Sequence, residues 1–62
     1  MTPRQREVLV LAARGRTNKE IARELHLTVK TVSHHLTAAY QAIGVRSRSE
    51  ATAWAFRAGL AD

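Results

Sequence analysis

The sequence predicts an all-α domain of four helices, about residues 3–14, 18–25, 28–43 and 48–58, on three observations. Capping residues stand where such helices would begin: Thr2-Pro3-Arg4-Gln5, Thr17-Asn18-Lys19-Glu20, Thr28 and Ser47-Arg48-Ser49-Glu50. Between these starts the apolar residues return every three or four positions, the period of one helix face. Isolated β-branched residues such as Val8, Val29 and Val45 never alternate over the length of a strand. The 62 residues show no linker, repeat or low-complexity segment and read as one domain with one core, near the lower limit for a fold without staples.

Helix one opens on Thr2 as cap, with Pro3 at the first helical position, where its missing N–H costs nothing, and Gln5 completing a capping box. Val8, Leu11 and Ala12 make its inward stripe, Leu9 lies at the margin, and Gly15 supplies a positive φ just past the end. Arg4 and Arg6 sit near the positive end of the helix dipole, an unfavourable place for cations unless an anion is close. Thr17 and Glu20 form the second box, and Ile21, Ala22 and Leu25 face inward. His26 then stands where the turn requires a left-handed residue, which His tolerates better than most non-glycine residues. A three-residue turn plugged by Leu27, with a small Ala22 where two helices must approach, describes a helix-turn-helix.

The long helix after Thr28 carries two stripes. Val32, Leu36, Ala39 and Ile43 form a core face with Val29 at its edge, while Lys30, Ser33, His34, Thr37 and Gln41 fall opposite. Every residue of the second stripe can donate a hydrogen bond, and no acid interrupts it, whereas an ordinary solvated face mixes Glu with Lys. That face suits a polyanion. Gly44 ends this helix and Val45 folds back on its last turn. Helix four opens on the third box, Ser47 and Glu50, with Ala51, Trp54, Ala55 and Ala58 on one stripe and Ala53 and Phe56 elsewhere. Either both rings close the core or one apolar side is left for a partner.

Composition points the same way. Ten Lys and Arg against five acids give a formal charge of +5, and nucleic acid is the commonest partner of a small, folded, strongly basic domain. With no cysteine there is neither a disulfide framework nor a thiolate metal site, which is compatible with a reducing, cytoplasmic setting. No apolar run reaches membrane-spanning length and no leader opens the chain, so a soluble protein without membrane partners is expected. Adjacent His34 and His35 point about 100° apart on a helix and cannot share an ion, and His26 is on another segment, so no metal or other cofactor is expected. So small a helical domain offers little concave volume for a catalytic constellation, and no enzyme is expected.

At Thr2-Pro3-Arg4, Glu7-Val8-Leu9, Gly15, Thr17-Asn18-Lys19-Glu20-Ile21-Ala22, Thr31-Val32, His35 and Gly44-Val45 the chain resembles the LuxR/GerE-type helix-turn-helix domain. That domain is the DNA-binding output module of quorum-sensing regulators and of NarL/FixJ-type response regulators. The resemblance covers Thr2 to Leu60 and implies sequence-specific binding of double-stranded DNA in transcription regulation, with the third helix in the major groove. By position, Ser33, His34 and Thr37 match places that read base edges, and Lys19, Lys30 and Thr31 match places that meet phosphate. Arg46, Arg48 and Arg23 are further candidates for the backbone, and His35 is placed for either packing or contact. The resemblance also implies a dimer contact through the last helix, assigned to Ala51, Trp54, Ala55 and Ala58, hence a homodimer on DNA. Family members usually carry a receiver or ligand-binding domain upstream, so the chain fits the C-terminal output domain of a longer regulator. Ser33 stands where a Lys or Arg is frequent, Ala42 where another Lys is, and Ala39 where a larger aliphatic is, so base preference does not carry over. The rival readings are a protein-interaction module using the apolar side of helix four and a promoter-reading domain of the sigma-factor type.

Overall fold

All four helices begin one residue after a hydroxyl side chain. In the computed structural model, which describes residues 1–61, they are α1 (Pro3–Ala13), α2 (Asn18–Leu25), α3 (Val29–Ile43) and α4 (Arg48–Arg57). Thr2, Thr17, Thr28 and Ser47 are extended, and each oxygen accepts the N–H three residues on, at 3.1, 3.1, 3.0 and 3.2 Å. The reciprocal arm closes at the first two starts, where Thr2 N–H donates to Gln5 Oε1 at 2.9 Å and Thr17 N–H to Glu20 Oε1 at 2.8 Å. The expected third box is only half made. Ser47 has φ −141 against −75 and −74 at the two threonines, which turns its N–H aside, so Glu50 Oε1 accepts instead from the Arg46 N–H at 3.3 Å.

The helix ends share one device. Gly15, His26, Gly44 and Gly59 have positive φ, and the next N–H reaches back five residues: Arg16 to Leu11, Leu27 to Ala22, Val45 to Tyr40 and Leu60 to Ala55. Arg14 and Ala58, expected inside helices one and four, are instead their caps, with ψ near zero, and Thr28 caps α3 from outside.

α1 packs on both α3 and α4, and α2 packs on α3. Val8, Leu11 and Ala12 meet Ile21 and Ala22 of α2 and Val32 and Leu36 of α3, with Leu25, Leu27 and Tyr40 around them. A second cluster joins Leu9, Ala39 and Ala51, and a third joins Ala13, Ala55 and Ala61. Because α1 is gripped from two sides it buries two faces, and Leu9, expected at the margin, is 1% exposed. The α4 stripe expected to meet a second copy is likewise turned inward. Ala51 and Ala55 are 2% and 0% exposed, Trp54 is half-buried against both α4-side clusters, and only Ala58, at the helix end, is open. Small residues at 39, 51 and 55 let α4 approach the rest of the domain closely. Among the described residues no helix is long and apolar enough to cross a membrane.

Candidate nucleic-acid interface

The turn that aims α3 is set by His26, whose φ of 57 and ψ of 44 end α2, while the Leu27 N–H donates to the Ala22 carbonyl at 2.8 Å. Buried Val32, Leu36 and Ala39 then fix the rotation of α3, leaving Lys30, His34, Thr37 and Gln41 exposed along the opposite side. Their spacing of three and four residues makes one continuous row.

Ser33 belongs to the rim of that row. It is half-buried, and its Oγ accepts from Asn18 Nδ2 at 3.4 Å. Asn18 Oδ1 in turn accepts from the Arg48 guanidinium at 2.8 Å, and Arg48 also donates to the Arg16 carbonyl. The first residues of α2 and α4 are thus tied together beside the second turn of α3. Arg48 is half-buried in these contacts, whereas Lys19 and Arg46, next to the two ends of the tie, are exposed, as is Lys30 on α3. Thr31 is half-buried, with its hydroxyl accepting from the Thr28 hydroxyl at 2.9 Å, and His35 is half-buried between the two stripes. Val29 was expected at the core edge but is 47% exposed at the first position of α3. It adds an apolar contact surface beside Lys30, for which its place at the very start of the helix was the available signal.

Among the described residues the acids are all occupied elsewhere. Glu7 pairs with Arg4 at 3.0 Å and Glu24 with Arg16 at 3.5 Å, while Glu20 and Glu50 serve helix starts. Both ion pairs are about half exposed and contribute little to stability, though Glu7 offsets the Arg4 charge at the α1 start. The Thr17 N–H, then the Thr17 hydroxyl, hold the Glu20 carboxyl below its ordinary pKa, with the Arg16 and Arg23 charges adding to the effect. Among the described residues, no carboxylate pairs with Lys19, Lys30 or Arg46. The field over the α3 row is therefore positive.

A short helix, a left-handed turn and a longer helix whose exposed row consists of hydrogen-bond donors under a positive field define a helix-turn-helix DNA-binding domain. Residues 1–55 match the model of the bacterial regulatory proteins, luxR family, and the chain belongs to that family, whose members act in transcription regulation. It is 42% identical over 62 residues to the transcriptional regulatory protein LiaR of Bacillus subtilis, covering all of this chain and 29% of that protein. Against the spore germination protein GerE of Bacillus subtilis it is 44% identical over 59 residues, covering 95% of this chain and 80% of that protein. The response regulator protein VraR of Staphylococcus aureus is 38% identical over 60 residues, covering 97% of this chain and 29% of that protein. The chain thus spans under a third of the length of LiaR and VraR and most of the length of GerE.

Proposed function

We propose that α3 lies in the major groove of double-stranded DNA, with His34 and Thr37 reading base edges from the exposed row and Ser33 reading from its rim. The observation that carries this reading is the acid-free row Lys30, His34, Thr37 and Gln41, exposed and held outward by buried Val32, Leu36 and Ala39. Lys19, Lys30, Thr31 and Arg46 meet phosphates on either side of the groove. Arg48 takes a supporting part, since its guanidinium is already engaged by Asn18 and the Arg16 carbonyl. One α3 reaches only a few base pairs, so the domain works as a homodimer on two half-sites, with the outer side of α4 as the contact. LiaR and VraR extend far beyond the matched region, which supports placement of this domain as the output end of a longer regulator with a receiver or ligand-binding part upstream. Such a regulator works where bacterial DNA is, in the cytoplasm.

The test is selection of bound duplexes from a randomised library, followed by titration of the selected and a scrambled duplex across salt concentrations. The reading requires a recurrent sequence in the selected pool and a log K that falls linearly with log salt. A pool without sequence preference overturns base reading, and no salt-dependent binding overturns the DNA reading altogether.

A further inference from the structure

We infer that Arg48 and Asn18 set the hydrogen-bond polarity of Ser33, so that Ser33 offers its O–H to a base acceptor and selects against cytosine at the position it faces. The inference rests on the DNA reading above and adds to it which chemical edge one residue reads and what decides that.

The argument starts at Arg48. A guanidinium has donors and no acceptor, so the Asn18 atom 2.8 Å from it must be the carbonyl oxygen Oδ1. The amide orientation is therefore fixed by chemistry, and Nδ2 is the atom that faces Ser33. Nδ2 carries only hydrogens to give, so the Ser33 Oγ, 3.4 Å away, must accept. The guanidinium polarises the amide and makes Nδ2 the stronger donor. The Arg16 carbonyl takes a second arm of the same guanidinium and stops it from swinging free.

With one oxygen lone pair engaged by Asn18, the Ser33 hydrogen is directed away from α2. Among the described residues no protein acceptor takes it. On the groove side it meets base edges. Guanine O6 and N7, adenine N7 and thymine O4 are acceptors there, whereas cytosine presents the N4 donor. Against cytosine, Ser33 has only its second lone pair to offer N4, and using it leaves the Ser33 hydrogen without an acceptor on desolvation. A serine alone is ambivalent, because its hydroxyl gives or accepts. Here the choice is made by a cation at the start of another helix, 15 residues away in sequence from Ser33. Arg48 and Asn18 are thus positioning residues: they need not touch DNA to influence which base is read.

Asn18→Asp tests this directly. An Asp at the first position of α2 keeps the Arg48 contact and suits the helix start, so the fold is retained. Its oxygens only accept, so the Ser33 O–H must turn inward and leave an oxygen lone pair toward the groove. Library selection with the wild-type domain, Asn18→Asp, Ser33→Ala and the double variant, followed by titration of duplexes permuted at the responding position, reads the outcome. The expected result is a shift at one position toward bases presenting an amino donor, cytosine N4 or adenine N6, on the order of fivefold. The Ser33→Ala background should abolish it. A weaker but unshifted preference in Asn18→Asp is a charge effect on phosphates and overturns the inference, as does a shift that persists without the Ser33 hydroxyl. A second arm needs no DNA: in the 15N–1H spectrum of the free domain, Ser33→Ala and Arg48→Met should each move the Asn18 side-chain amide pair, and an unmoved pair in both overturns the relay. A wild-type domain that selects no sequence, with the amide pair still moving, overturns the base reading and leaves the intramolecular relay standing, so the two failures are distinguishable.

Discussion

The amide of Leu27 reaches back across His26 to the carbonyl of Ala22, 2.8 Å away, and this bond closes the turn that sets α3 against α2. The three other helices end on the same five-residue return, each over a glycine, so His26 is the strained member of the set. A left-handed residue with a Cβ costs about 1–2 kcal/mol, part of which a glycine returns to the unfolded chain as entropy. His26→Gly is therefore expected to raise stability by about 1 kcal/mol, and His26→Val to lower it by at least as much, in urea denaturation. If the glycine variant is the less stable one, the His26 side chain contributes contacts that outweigh its backbone strain.

The cap of α2 predicts a pH dependence. The Glu20 carboxyl has a folded pKa held below its unfolded value by the Thr17 N–H and hydroxyl. The stabilisation is therefore fully present above the ordinary carboxylate pKa and is lost as pH falls through that range to the lower folded value. Glu20→Gln keeps an oxygen that can accept from Thr17 but has no charge to lose. The gap in melting temperature between wild type and Glu20→Gln should be present at pH 7 and shrink toward pH 3. A gap constant over that range would show that Glu20 acts there through geometry alone.

The fold was legible because each helix carries its own start and stop signals, and the chain has few other ways to satisfy them. Thr2, Thr17 and Thr28 cap as the spacing implies, and even the left-handed His26 was readable from the position that needed it. What the sequence could not settle was decided between helices. Leu9 looks marginal on a single helical wheel but is buried because α1 touches two partners at once. Ala51 and Ala55 read as a surface stripe for the same reason, since a row of alanines fits close packing inside the domain as well as between domains. At the interface, Ser33 reads as one of five outward donors. Only the contact with Asn18, and behind it Arg48, separates it from His34 and Thr37, and no periodicity encodes a contact across 30 residues of chain between Asn18 and Arg48.

The two kinds of contact proposed for α3 separate in salt. Lys30 is an exposed cation at the first turn without a carboxylate partner among the described residues, so Lys30→Ala should weaken selected and scrambled duplexes about equally and reduce the log–log salt slope by about 0.9. His34 is exposed in the middle of the row, and His34→Ala should cost about 1–3 kcal/mol on the selected duplex, little on the scrambled one, and relax preference at one or two base pairs. Fluorescence titrations of both duplexes at several salt concentrations give both numbers. Equal losses for His34→Ala on the two duplexes would remove it from base reading, and an unchanged slope for Lys30→Ala would take that residue off the backbone.

The surface through which two copies would meet is now narrower than the sequence suggested. Ala51 and Ala55 are occupied by α1 and α3, so the side of α4 left open is the one carrying Ser49, Ala53, Phe56 and Arg57, with Phe56 45% exposed in its middle. A single ring and an alanine bury modest apolar area, and association entropy opposes so small a contact, so the free domain should be mainly monomeric at micromolar concentration. On a duplex with two half-sites about one helical turn apart, DNA supplies most of that entropy and the contact becomes visible as cooperativity. Phe56→Glu places a charge in the middle of the patch without disturbing a buried residue. It should leave binding to a single half-site and the thermal melt close to wild type, and abolish the cooperative second copy in analytical ultracentrifugation with the two-site duplex. Ala51→Glu, by contrast, forces a carboxylate into a position 2% exposed and should unfold the domain rather than report on any interface. Cooperative loading of two Phe56→Glu copies, with affinity for the second site unchanged, would show that the dimer contact lies away from the open side of α4.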